Sequence, residues 1–528
     1  MMKVQIYDTT LRDGSQGEGV SFSVEDKLRI VQELDKLGIH YIEGGYAGSN
    51  PKDEEFFSRI QELNLYNAKI TAFGSTRRAK KKVSEDQNLH QLLKAGTSVI
   101  TIVGKSWDLH VKDVLRASLH ENLAMIEESV RFLVENDREV IFDAEHFFDG
   151  YKSDPEYDLE TLKAAVNGGT SCVVLCDTNG GTMPLETKEI CEAVANRIKI
   201  SFGIHTHDDS GMAIANSIVA VQSGAVQVHG TFNGYGERCG NANLCTVIPN
   251  LKLKLGVDCI SNENLFGLTT ASRLISELAN LPHDESQPYV GRSAFAHKAG
   301  LHADAVQKNS HTYEHVDPEM VGNERRILVS DQAGKGSLLT KLLKDHPILK
   351  KDSPELQLIS GMLKEAEKDG YQYEGAEGSF ELMVHKIMGT YNRFFDLKGF
   401  TVLVERTENH QMRSQATIKL MDLDGNIEYQ ASEGHGPVNA LNQALKKALL
   451  AFFPQLKSVH LTDFKVRVLD ARRGTAAKVR VLIESSDGEQ SWGTVGVSED
   501  IIAASWEALV ESIEYKLFKD QQEKGMKF

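Results

Sequence analysis

Eight strand-like runs, each followed by a stretch with helical apolar spacing, occupy the first half of the chain and limit what it can fold into. The runs fall at 3–9 (KVQIYDT), 39–44 (IHYIEG), 69–73 (KITAF), 98–103 (SVITIV), 139–145 (EVIFDAE), 171–177 (SCVVLCD), 199–206 (KISFGIHT) and 225–232 (AVQVHGTF). Between them apolar residues recur every three to four positions, as in 24–37, 113–135 and 184–197, with one more helical stretch near 240–254. Ser23 with Asp26, and Ser84 with Gln87, read as capped helix starts. Strand–helix alternation builds a parallel sheet, and eight repeats predict a closed (β/α)8 barrel, an α/β fold of the TIM-barrel type. The competing doubly wound sheet calls for a glycine-rich dinucleotide loop after its first strand, where no GxGxxG occurs.

The remainder divides in two. Residues 261–380 read as a helical connecting region, with 262–281 and 356–370 as helical stretches, 334–348 before the second of them, and 370–378 as a hinge. Residues 381–528 carry an internal repeat: Asp424-Gly425 returns as Asp487-Gly488, and a helix starting at Pro437 is matched by one starting at Asp500. Strand-like runs precede each helix, at 400–405, 415–421 and 427–431, then at 461–469, 476–483 and 490–497. This predicts an α+β domain of two βββα units that pack against each other or a partner chain, because neither can bury its own sheet face. No catalytic constellation assembles there, so binding or dimerisation is the expected role. The expected domains are therefore 1–260, 261–380 and 381–528.

A net charge of −16 argues against nucleic acid or a membrane surface as a partner, since both are polyanions. No apolar run approaches the roughly 20 residues that span a bilayer, and the chain enters its first strand without a signal-peptide core. Six cysteines without a CxxC pair form neither a disulfide framework nor a structural zinc site. Cys172, Cys176, Cys191 and Cys259 read as small buried residues, in keeping with a reducing, cytoplasmic compartment.

In such a barrel the strand C-termini form the working face. The first delivers Arg12 and Asp13, which are either a solvated ion pair or half of a site. The seventh ends in His205-Thr206-His207-Asp208. Residues two apart on a strand share a face, so both imidazoles can meet one ion, with Asp13 as a third ligand. The eighth runs into HGTFNGYGERCGNANL, where Asn241 either offers an oxygen to that ion or caps the next helix. The fifth brings Asp143 and Glu145, on alternate positions, and the sixth brings Thr178, a donor for a carboxylate or oxyanion. Ionisable groups at so many strand ends favour an enzyme over a scaffold.

Leu11-Arg12-Asp13-Gly14 with Gln16, His205-Thr206-His207-Asp208 and Asn233–Asn241 resemble the isopropylmalate synthase, homocitrate synthase and citramalate synthase family of metal-dependent acyl-CoA condensing enzymes. His297–His302, Tyr313 and Asp317-Pro318 extend the resemblance through the connecting region, and the repeated C-terminal domain resembles the family's regulatory domain. Lyases and carboxyltransferases of the wider superfamily share the first motifs but not that domain. The resemblance implies a divalent metal on Asp13, His205, His207 and Asn241, either Mg or Mn, with Zn as the alternative, and allows a monovalent cation as activator. It implies acetyl-CoA as co-substrate, Arg12, Glu145, His302 and Tyr313 as catalytic residues, and Arg12, Thr178, Asp143 and His110 as substrate-binding. His302 is the implied base, reaching over a neighbouring barrel in a homodimer with composite active sites. The stretch Glu43-Gly-Gly-Tyr46 departs from the Glu-x-Gly-Phe-Pro of isopropylmalate synthases, which implies pyruvate instead of 2-oxoisovalerate, with isoleucine as the feedback effector at the C-terminal domain.

Overall fold

Strand parity builds the barrel. In the computed structural model the eight strands β1 (Gln5–Asp8), β2 (Tyr41–Tyr46), β3 (Lys69–Ser75), β4 (Val99–Lys105), β5 (Glu139–Glu145), β6 (Cys172–Asp177), β7 (Phe202–Thr206) and β8 (Gln227–Gly230) close in sequence order into one barrel. Every neighbouring pair is parallel, and β1 closes the ring against β8 with Tyr7 opposite His229. Along each strand, alternate residues serve two cores. Ile6, Ile42, Ile100, Phe142, Val173, Ile204 and Val228 join the large cluster shared with the helices. Their neighbours Tyr7, Tyr41, Val99, Ile141, Cys172 and Val174 form a second, smaller cluster. This second parity also carries the polar residues Glu43, Thr71, Thr101, Asp143, His205 and His229, all buried.

The structure describes every residue except Met1, Ser49, Ala299, residues 329–341 and 343–352, Glu374, residues 407–411 and 470–476, Glu489 and residues 524–528. The segment 334–348 of the connecting region lies outside the described residues, apart from position 342. The helix Val24–Leu37 starts with the expected capping box of Ser23 and Asp26 and stops at Gly38 in the left-handed region. The expected cap at Ser84 is corrected: Ser84 sits in a 3-10 turn, and Asp86 caps Gln87–Lys94 by accepting from Asn88 and Leu89 N–H. Six free cysteines are present, with Cys172, Cys176, Cys191 and Cys259 buried as expected. Among the described residues no helix is long and apolar enough to cross a membrane.

The chain forms two compact units, residues 1–295 with 314–325, and residues 296–313 with 326–528. The first runs past the expected boundary at 260. The helices Asn262–Leu265 and Leu268–Leu278 give Leu265, Leu268, Ala271 and Ile275 to the barrel's own core, because their apolar stripe lies against Val24–Leu37. In the second unit the two expected βββα repeats are present. Strands Phe395–Arg406, Met412–Asp422 and Ile427–Gly434 precede the helix Pro437–Phe452, and His460–Val468, Val479–Ser486 and Ser491–Ser498 precede Ile501–Glu523. Each set is a three-stranded antiparallel sheet. Residues of both sheets and both helices enter one hydrophobic cluster, so the repeats do pack against each other. The helix Glu377–Met388 packs on Ser491–Ser498 through Phe380 and Val384, so a division at 380 would cut an element that belongs to this unit.

Candidate active site and metal centre

Asp13 is the hub of a buried cluster at the C-terminal ends of the strands. Its Oδ2 lies 3.2 Å from His205 Nε2, 4.0 Å from His207 Nε2 and 3.6 Å from a terminal nitrogen of Arg12. Asp13, His205 and His207 each place one ligand atom within 4.8 Å of the other two. Burial alone would raise the Asp13 carboxyl, but Arg12, His205 and His207 hold it well below the usual carboxylate range. The same burial pushes His207 down to about 4, with His205 adding to the effect, so His207 is neutral and free to ligate at neutral pH.

Asn241 does not cap a helix; Asn243 does, accepting from Cys245 N–H. The loop after β8 instead folds back along the end of β7, where His207 pairs with Asn241 and Asp208 N–H donates to Gly240 O. Only glycine fits two of its positions. At Gly236 (φ +156) an added Cβ would lie 1.9 Å from Asn241 Oδ1, and at Gly240 (φ +88) 1.9 Å from Gly234 O. Asn241 Nδ2 consequently lies 3.0 Å from Asp13 Oδ2 and 3.1 Å from His205 Nε2. Half a turn of the amide exchanges its nitrogen and oxygen, bringing Oδ1 to the same place. Among the described residues Asn241 Oδ1 has no hydrogen-bond partner. Two imidazoles, a carboxylate and an amide oxygen suit a divalent cation.

A cavity of about 430 Å³ opens beside this cluster, lined by Arg12, Asp13, Tyr46, Asp143, Glu145, Thr178, His205 and His207 among others. Arg12 is therefore no surface ion pair. Its Nε donates to Glu43 Oε2, and its guanidinium lies over the Phe73 ring at 3.9 Å. Asp143 is buried, and burial pushes its carboxyl up to about 7 against the opposing field of His205. Glu145 pairs with Lys105, its register partner on β4. Thr178 Oγ1 accepts from His146 N–H at 2.9 Å, which leaves its own proton to donate. His110 is absent from this cavity wall. It stacks between Trp107, with ring centres 5.3 Å apart, and His146, at 4.2 Å, and burial lowers its basicity. His302 and Tyr313 belong to the second compact unit, where their rings stack at 4.1 Å with both residues exposed.

Several residues here escaped the sequence reading. Glu43 is fully buried between Arg12 and Tyr7, and Phe73 supports the guanidinium from one side. His229 forms a second group with Asp143 and His205, again within 4.8 Å, and stacks flat on Tyr7. The signal was present in the polar residues that recur at one parity within otherwise apolar strands.

The family model described as HMGL-like matches residues 3–275, the homocitrate synthase post-HMGL domain-like model matches 289–366, and the LeuA allosteric (dimerisation) domain matches 374–517. Barrel, site and C-terminal domain together define an HMGL-like enzyme with a LeuA-type dimerisation domain. The chain is 56% identical over 523 residues to an (R)-citramalate synthase of Aquifex aeolicus, covering 99% of both chains. It is 54% identical over 528 residues to one of Geobacter sulfurreducens, covering 100% of both. A third, of Synechocystis, is 52% identical over 523 residues, covering 97% of this chain and 96% of the relative. The chain belongs to the (R)-citramalate synthase family.

Proposed function

We propose that this protein condenses acetyl-CoA with pyruvate and hydrolyses the resulting thioester, releasing (R)-citramalate and CoA. The observation that carries the reading is the convergence of Asp13, His205, His207 and Asn241 beside a guanidinium fixed by Glu43. It stands in a chain that matches (R)-citramalate synthases over its whole length. Tyr46 and Phe73 meet edge to face at 5.7 Å in the same region and favour a small 2-oxoacid.

Asp13, His205, His207 and Asn241 would hold a divalent cation, Mg or Mn in preference to Zn. Bound there, the ion supplies Lewis-acid polarisation of a keto oxygen. The chain's own groups do the rest. Arg12, held charged by Glu43 and Asp13, faces the negative charge that grows on the keto oxygen as the new carbon–carbon bond forms. The Thr178 hydroxyl donates to the substrate carboxylate, and Asp143 is a further substrate contact, whereas His110, off the cavity wall, is not. His302, with Tyr313 stacked on it, takes the proton from the acetyl methyl group. Glu145 orients the water whose oxygen becomes the second carboxylate while the thiol of CoA leaves with a proton. A dimer in which His302 and Tyr313 serve the neighbouring barrel fits the LeuA-type domain, and a cytoplasmic location fits a soluble biosynthetic role.

In the second unit a cavity of about 690 Å³ lies between the two repeats. Val438, Leu445, Leu461, Phe464 and Ile513 give it an apolar wall, and His435, Asn439 and Gln443 give it a polar edge. This suits isoleucine, with its branched side chain and charged main-chain groups, as feedback effector.

Thiol release from acetyl-CoA with pyruvate, 2-oxobutyrate, 2-oxoisovalerate or 2-oxoglutarate tests the reading. The highest kcat/KM is expected with pyruvate; a preference for 2-oxoisovalerate would replace citramalate with isopropylmalate as the product.

A further inference from the structure

Beneath Arg12 a line of hydrogen bonds runs into the barrel. Arg12 Nε donates to Glu43 Oε2, and Tyr7 donates its phenolic proton to Glu43 Oε1 at 2.8 Å. With that proton committed, the hydroxyls of Thr71 and Thr101, at 2.6 and 2.7 Å, can only donate to the phenol oxygen. Tyr7, Glu43, Thr71 and Thr101 come from four strands, and all four are fully buried. The Tyr7 ring is fixed independently, lying flat on His229 with centres 3.8 Å apart and on Tyr41 at 5.8 Å.

We infer that the Tyr7 hydroxyl is a positioning group for the condensation: it sets the carboxylate of Glu43, and through it the guanidinium of Arg12, at the place where oxyanion charge develops. This inference rests on the condensation proposed above. An arginine in open solvent would reorganise as charge grows, whereas one locked by a buried carboxylate is already in place, and that difference is expressed in the transition state. Glu43 needs two donors of fixed direction, one per oxygen. Tyr7 supplies the donor that points away from the substrate, while the threonines direct the phenol proton toward Glu43. A phenylalanine would fill the same space and stack equally well. It would leave Glu43 Oε1 free to turn and Arg12 free to follow.

The test compares Tyr7→Phe, Glu43→Gln and the double variant in the full-length enzyme. Tyr7→Phe is expected to lower kcat about 10- to 100-fold, with KM for pyruvate within about threefold and Mn²⁺ affinity close to the parent's, while the unpaired Glu43 oxygen lowers the thermal midpoint without unfolding the enzyme at assay temperature. In the Glu43→Gln background the further change from Tyr7→Phe should be less than about threefold, because the two act through one guanidinium. Thr101→Val, which loosens the phenol without removing its proton, should give a smaller loss in the same direction. An unchanged kcat in Tyr7→Phe overturns the inference. So does a loss of kcat that vanishes once the assay is run well below the variant's thermal midpoint, one that tracks weakened Mn²⁺ binding, or a full multiplicative effect in the double variant. If the parent enzyme does not condense acetyl-CoA with pyruvate, it is the proposed reaction that fails, and the parent assay alone shows this.

Discussion

Replacing Asp53 with alanine should unfold the barrel more readily than any loss of packing would explain. Lys27 is almost wholly buried, and its ammonium donates to Asp53 Oδ1 at 2.6 Å and to Gly44 O at 2.9 Å. Burial lowers the pKa of Lys27 and Asp53 opposes that shift, so the carboxylate is what keeps the charge tolerable. In Asp53→Ala the ammonium is left on the Gly44 carbonyl and against the Phe56 ring, 5.4 Å away. Breaking a buried pair from one side costs about 3–5 kcal/mol, a large part of a total stability of about 5–15 kcal/mol. Removing both charges in Lys27→Met/Asp53→Ala should return stability to within about 1–2 kcal/mol of the parent. Hydrogen exchange of peptides spanning Tyr41–Tyr46, followed through a urea series, reads this in the barrel alone. Because Gly45 and Tyr46 line the cavity, the double variant should fold yet show a raised KM for the 2-oxoacid. A single variant that loses less than about 1 kcal/mol, or a double variant no better than the single one, would refute the reasoning.

His205→Ala and His207→Ala should each abolish turnover and weaken Mn²⁺ binding by at least tenfold in calorimetric titration, since both imidazoles share Asp13. If isoleucine is the effector proposed above, Val438→Trp, filling the cavity between the C-terminal repeats, should relieve its inhibition in steady-state assays while leaving kcat for condensation within twofold. Burial pushes the Glu511 carboxyl up to about 7, with Glu507 and Glu514 adding to it and Lys386 opposing. Its contribution to stability is therefore present below about pH 4.5, the carboxyl's ordinary value, and is lost as pH rises through about 7. Thermal midpoints of the full chain at pH 5 and pH 8 should show Glu511→Gln gaining on the parent at the higher pH.

The barrel was legible because eight repeats of the same alternation leave little else to build, and each observed strand lies within a few residues of its expected run. The cluster proposed to hold the metal could be singled out because His205 and His207 sit two apart on a strand that had to end at the working face. Asn241 was ambiguous, since a loop with Gly234, Gly236 and Gly240 at positive φ takes a course that residue spacing does not predict. Glu43 was hidden for a different reason. A carboxylate inside an apolar strand has meaning only when its cross-barrel neighbours are known, and Tyr7 and Arg12 reach it across 36 and 31 residues of sequence. The first compact unit runs beyond 260 because, although the strand count stops at 230, the amphipathic helix Leu268–Leu278 lays its apolar stripe on the barrel's own core, a choice its sequence does not announce. His302 and Tyr313 are singled out by resemblance alone, and what the structure shows of them is a mutual ring stack.

The bond between Asp13 and Asn241 joins residues 228 positions apart. During synthesis Asp13 emerges with the first strand, whereas Asn241 follows the last, so the two meet only after β8 has docked on β1. A cation that requires both can bind the closed ring and nothing earlier. Its binding energy then falls entirely on the closed state, drawing the slowest and least local pairing of the barrel to completion. On the proposed ligand set, metal supply would act on this enzyme twice, once as a cofactor for turnover and once as a ratchet on assembly.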